Sequence, residues 1–135
     1  MKQEELFIGA IVLWNDPEGI ASGIYPISGF EPSGCVFIKD SFGDRQTPFE
    51  EIEPVKITHK LLLRLEGENG ERFELVNGFY FINGGVRAWC EDDKMGVDWF
   101  YKNPFNGCFF GIGCIHTLQT RVRLDTGIVL NLKPE

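Results

Sequence analysis

Between Phe7 and Val55 the chain reads FIGAIVLW, GIYPI, GCVFIKD, a turn at SFGD, then RQTPFEEIEPV. These short apolar runs are broken by Gly, Pro, Asn, Asp and Ser, residues that end strands through positive φ, a missing N–H or local side-chain bonding. The spacing predicts a small closed β-barrel of the Src-homology or Tudor type. Phe7–Trp14 is the expected first strand, bent at Gly9. Ile24–Ile27 opens a second, and Pro26 assigns it to an edge or a bulge because proline cannot donate to a ladder. Cys35–Lys39 is the strongest strand, Asp40–Asp44 its hairpin tip, and Pro54 the exit from the barrel.

Beyond Pro54 the pattern changes. Thr58 reads as the N-cap of a helix through HKLLLRLEG, with Leu61, Leu62 and Leu65 on one face and Gly67 as the stop. ERFELV and FYFI read as strands joined at Asn77-Gly78, a strong hairpin dipeptide. A turn at Asn83-Gly84-Gly85 leads into VRAWC, and the acidic run Glu91–Lys94 links that strand to VDWFYK. Asn103–Gly107 is a loop before a strand in CFFGIGC. Thr117–Asp125 fits two periods at once. Leu118, Thr120, Val122 and Leu124 alternate as on a strand, while Ile115, Leu118 and Val122 fall at helical spacing, and pattern alone leans slightly to strand. The fold class is therefore α+β and mostly β. A barrel subdomain over residues 1–56 packs on an α+β subdomain over 57–135 that carries two short helices, the two forming one compact domain.

Charge narrows the partners. The 135 residues carry a net charge of −7. Residues 1–55 hold three basic against ten acidic side chains, whereas residues 56–135 hold ten of each. Nucleic-acid affinity comes mainly from Lys and Arg displacing counterions, so an acidic barrel is expected to have no nucleic-acid partner. Solubility accounts for the charge, with mimicry of a nucleic acid as an alternative. The four cysteines, Cys35, Cys90, Cys108 and Cys114, lie in runs of bulky apolar residues, where Cys acts as a small hydrophobe. The opening MKQEEL is acidic, and the apolar run after it is too short for a signal core or a membrane span. A cytoplasmic, reduced protein with free thiols and no membrane partner is the expectation.

No motif fixes a chemistry. Cys108, Cys114 and His116, with Cys90 elsewhere, have poor spacing for zinc, so neither metal nor cofactor is expected. A Cys–His nucleophile needs a polar, exposed niche, and these cysteines are flanked by Phe, Ile and Trp. His59 falls in the first turn of its helix and reads as solvated; His116 reads as a cap or a buried hydrogen bond at a helix start. No catalytic residue is assigned, though His116 with a nearby thiol or carboxylate is the group an enzyme would use. Glu50, Glu51 and Glu53, and Glu91–Asp93, lack the alternating ligands of a calcium loop. Phosphate loops, serine elbows and metalloprotease helices are missing. Trp14, Tyr25 and Phe42 are the candidate binding residues: strand ends and tips converge at one barrel rim, where they would form an aromatic cleft for a peptide, unless Trp14 plugs the barrel.

Three short pieces carry a resemblance. They are Leu6-Phe7-Ile8-Gly9, then Glu51-Ile52-Glu53-Pro54-Val55-Lys56-Ile57-Thr58, then His116-Thr117-Leu118-Gln119 followed by Thr126-Gly127. In order and spacing the chain resembles a group of small, uncharacterised proteins of Bacteroidetes genomes, phages and mobile elements, which open on "IGN-V", pass through "EIEPIPLT" and close with "H-x-LQNLYFALTGEEL". The distance from His116 to Gly127 matches the group's pattern. Here NLYFALTG is replaced by TRVRLDTG, which loses the aromatic and adds Arg121 and Arg123. The resemblance implies a helix over His116–Asp125, a final strand over Ile128–Leu132 and a phage or mobile-element setting. It implies no activity. The function expected is a non-enzymatic, protein-binding or accessory module, with the small enzyme and the acidic mimic as alternatives.

Overall fold

The computed structural model describes residues 5–82, 85–93 and 96–133. The fold is α+β and mostly β, and the chain divides into two compact units, Met1–Val55 and Lys56–Glu135.

The first unit is a five-stranded antiparallel sheet. Its strands are β1 (Ile11–Trp14), β2 (Gly23–Glu31), β3 (Cys35–Asp40), β4 (Gly43–Pro48) and β5 (Ile52–Pro54), in the order β4-β3-β2-β1-β5. The sheet is open, with β4 and β5 at its ends, and a single 3-10 turn over Phe49–Glu51 carries the chain from one end strand to the other. The first strand starts at Ile11, later than expected. Ala10 N–H donates to the Phe7 carbonyl at 3.0 Å and Gly9 has φ of 97°, so residues 7–10 form a turn that only glycine accommodates comfortably. β2 runs four residues further than its apolar run suggested, and Pro26 lies inside it, between β1 and β3 in the strand order. Residues Gly23–Pro26 pair with β1, Ile27–Glu31 pair with β3, and the register shifts between Ile27 and Gly29. The proline thus falls just before the ladder to β3 begins, where its missing N–H interrupts nothing, and the expected bulge follows it.

Alternation along these strands packs Val12, Trp14, Ile27, Val36, Ile38 and Ile52 with Leu6 and Ala10 into one core. Ile11 is also buried, on the opposite face of β1, where Leu13 is half-buried.

In the second unit Thr58 Oγ1 accepts the Leu61 N–H at 3.2 Å and caps α1 (His59–Arg64), as its sequence predicts. The helix ends earlier than Gly67, because Leu65 turns extended and begins the two-residue strand β6 (Leu65–Glu66). Then come β7 (Glu74–Val76), β8 (Phe79–Ile82), β9 (Val86–Asp93), β10 (Gly96–Asn103) and β11 (Cys108–Ile112). They form an antiparallel sheet in the order β11-β10-β9-β8-β7. Asn77 and Gly78, at φ of 52° and 85°, make the tight turn between β7 and β8. ERFELV contributes only its last three residues. Glu91–Asp93, expected as a linker, extends β9; Lys94, Asn83 and Gly84 lie outside the described residues.

The conflict over residues 117–125 resolves to helix. α2 (Ile115–Thr126) buries Ile115, His116, Leu118, Gln119 and Val122 and ends at Gly127 in the left-handed conformation. Its side chains meet one face of the sheet: Tyr101 Oη donates to Asp125 Oδ2 at 2.5 Å, and the Arg121 guanidinium lies 4.1 Å from the centre of Phe110. The final strand, β12 (Asn131–Leu132), is shorter than Ile128–Leu132 and pairs with β6. Ahead of it Ile128 and Leu130 are buried, and Gln119 Nε2 donates to the Leu130 carbonyl at 2.9 Å.

Candidate functional site

Both histidines of the chain meet a cysteine in the second unit. Thr58 places His59 in the first turn of α1, where the ring lies edge-on to Trp99 with centroids 5.1 Å apart. Its Nδ1 is 2.6 Å from Tyr80 Oη, and its Nε2 is 3.5 Å from Cys90 Sγ. Cys90 and Trp99 are register partners on β9 and β10, so they lie side by side on the sheet. His59 is exposed, as its place in the first turn suggested, and each of its ring nitrogens also has a partner. Burial pushes the Cys90 thiol up, and the Asp92 carboxylate adds to it. Burial, and then Cys90, push the Tyr80 phenol up.

The second pair lies at the start of α2. Cys114 is the N-cap residue, with Sγ 3.4 Å from His116 Nδ1, 3.6 Å from His116 Nε2 and 3.1 Å from Thr117 Oγ1. Burial pushes this thiol up, but hydrogen bonds from His116 and from the hydroxyl and amide of Thr117 outweigh it, and the thiol sits below its ordinary range. His116 is buried at a helix start, the placement its sequence suggested. The sulfur is almost equidistant from the two ring nitrogens, so neither is singled out as its partner. The thiols of Cys35, Cys90 and Cys114 form no disulfide, and among the described residues no three His, Cys, Asp or Glu side chains converge as a metal site would need.

A cleft of about 630 Å³ opens in the same unit, lined by chain neighbours of these pairs rather than by the pairs themselves. Its lining includes Thr58, the residue before His59, Trp99, whose ring meets His59, and Gly113, the residue before Cys114, with Ile57, Val97 and Ile112.

The other sheet face carries aromatic rings. Alternation puts Tyr80, Ala88, Trp99 and Tyr101 toward α2, so Phe79, Trp89, Phe100 and Phe109 point the other way. Phe79 meets Trp89 at 5.5 Å, Trp89 stacks on Phe100 at 5.9 Å, and Phe100 stacks on Phe109 at 6.0 Å. The stripe crosses four adjacent strands, β8 to β11. Trp89 also reaches Phe109 at 5.5 Å. Arg87 lies over Phe79 and Trp89, 5.1 Å and 5.8 Å from their centres, and its Nε finds no acceptor among the described residues. Phe109 is 58% exposed.

Of the expected aromatic rim, two rings meet. Trp14 and Tyr25 lie 6.2 Å apart, but Trp14 is only 5% exposed, with its N–H bonded to Glu51 and the Arg45 guanidinium 5.0 Å above its ring. Tyr25 Oη donates to the Ala21 carbonyl at 2.7 Å. Phe42, 93% exposed at the hairpin tip, has no ring contact among the described residues. The stripe on the second unit was not read from the sequence, although its signal was there: Phe79, Phe81, Trp89, Phe100 and Phe109 recur at strand spacing opposite the buried positions.

No family model, no curated protein and no solved structure matches this chain. Among the described residues no helix is long and apolar enough to cross a membrane.

Proposed function

We propose that the protein is a non-enzymatic binding module directed at another protein, acting in the phage or mobile-element setting that its sequence resemblance implies. One observation carries this reading: the stripe Phe79–Trp89–Phe100–Phe109 on the sheet face away from α2. Aromatic residues and Arg are the side chains most enriched where proteins bind proteins, and large rigid rings supply contact area at low entropic cost. Arg87 defines the partner's chemistry. Its guanidinium lies on the rings, so the matching surface carries apolar side chains around a carboxylate or a backbone carbonyl. The first unit is an accessory barrel of the Src-homology or Tudor type, a reading supported by the order β4-β3-β2-β1-β5 and by the 3-10 turn before the last strand.

The test is a photo-crosslinking amino acid placed at Phe109, with Leu124, exposed on α2, as the control position. In extract of the native host, a discrete protein adduct is expected from position 109 and not from 124, and Trp89→Ala should remove it. Equal adducts at both positions, or an adduct indifferent to Trp89, would sink the proposal.

A further inference from the structure

Cys90, His59 and Tyr80 come from β9, α1 and β8, yet they form a line of thiol, imidazole and phenol in which each ring nitrogen has one partner. Nucleophilic chemistry uses that order: a nucleophile within reach of a base, and the base held by a third group. Tyr80 is buried and its phenol is pushed up, so it stays neutral while holding the ring. The Cys90 thiol is pushed up as well, so it rests as S–H and needs a base at the moment of attack. His59 is exposed and Cys90 half-buried, which leaves the pair open to solvent. Trp99, the register partner of Cys90 and the ring neighbour of His59, also lines the cleft, as does Thr58, the residue before His59.

We propose that Cys90 is an acyl-acceptor thiol, with His59 as its base and Tyr80 as a positioning residue, taking acyl groups from activated esters or thioesters. With Nδ1–H donating to Tyr80 Oη, the Nε2 lone pair faces the thiol. The sulfur attacks the carbonyl carbon; the S–C bond forms and the thiol proton passes to Nε2. The bond to the leaving group then breaks with its electron pair, and the departing alkoxide or thiolate takes the proton from Nε2. The products are an acyl thioester on Cys90 and a free alcohol or thiol, with no change of oxidation state. The Cys114–His116 pair lacks this geometry, since its sulfur faces no single ring nitrogen.

The probe is p-nitrophenyl acetate on the full chain, followed by p-nitrophenol release and by peptide mass spectrometry to locate the acetyl group. A burst no larger than the protein concentration is expected, with the acetyl group on Cys90. Cys90→Ser should abolish the burst and Cys114→Ser should leave it unchanged. His59→Gln should slow it about 100-fold, the lower end of what a positioned base contributes. Tyr80→Phe should still be labelled at Cys90 but with a shifted pH profile, whereas a merely structural role would leave the profile in place. The titratable groups facing the imidazole are the Tyr80 phenol from β8 and the Cys90 thiol from β9, with Asp92 beyond the thiol. Acetylation that favours Cys114 or Cys35, or an unchanged rate in a folded His59→Gln protein, overturns the proposal. If His59→Gln does not fold, the site of acetylation in the unaltered chain decides alone.

Discussion

The indole N–H of Trp14 donates to Glu51 Oε1 at 3.0 Å, a bond that ties the end of β1 to the 3-10 turn leading into β5. Glu51→Ala leaves that N–H without its acceptor beneath the Arg45 guanidinium, and should lower stability by about 1–3 kcal/mol. In Trp14→Phe the donor is gone, so adding Glu51→Ala to it should cost much less. Urea denaturation of the two single variants and the double variant measures the coupling; strict additivity would mean the bond contributes nothing.

Ile38 is fully buried in the first unit's core beside Val36 and Ile27. Ile38→Ala removes packed methyl groups and leaves a cavity, which should cost about 2–5 kcal/mol. An unchanged denaturation midpoint would show that β3 is not central to the unit.

Asp16 organises the loop after β1. Its carboxylate accepts the N–H groups of Ala21, Glu18 and Ile20 at 2.8, 3.0 and 3.2 Å, and these bonds hold its pKa below the ordinary value of 3.8. A depressed carboxylate stabilises the fold above its unfolded pKa, and that stability is lost as pH falls from there through the folded value. Asp16→Asn should therefore be less stable than the unaltered chain near neutrality, with the gap closing in the acid range. Denaturation midpoints at both ends of that range check the sign, and a gap that widens on acidification would contradict it.

Random duplex DNA should not bind detectably at physiological salt. The first unit carries seven excess carboxylates, and three of the five arginines of the second are engaged: Arg72 pairs with Glu66, Arg64 donates to the Lys133 carbonyl, and Arg121 lies on Phe110. Fluorescence anisotropy with duplex and single strands tests this. Tight, salt-sensitive binding of single strands alone would reassign the aromatic stripe from protein to bases.

The local signals in the chain were readable because their causes are local. Asn77-Gly78 turns the chain with two residues that tolerate positive φ, and Thr58 caps its helix with its own hydroxyl. The second helix was ambiguous for a specific reason. Its buried face is Ile115, Leu118, Gln119 and Val122, true helical spacing, but Gln119 is polar and is buried only because it bonds the Leu130 carbonyl. A hydropathy pattern cannot anticipate that bond. The thiol–imidazole–phenol line depends on strand register between β8, β9 and β10 and on the placement of α1, and Cys90 and His59 are separated by 31 positions. Trp14, read from the sequence either as a rim residue or as a plug, points inward along the same alternation that buries Val12.

The pairing of β1 with β5 also predicts an order of events in time. The ladders from β1 to β4 join consecutive strands, whose loops close at small entropic cost, whereas Val12 meets Pro54 only after the intervening chain is arranged. In the first unit the hairpins are therefore expected to form early and β5 to dock last. Ile52→Ala should accordingly accelerate unfolding and leave refolding nearly unchanged in stopped-flow measurements, so that the lifetime of the native state depends on its latest-formed strand.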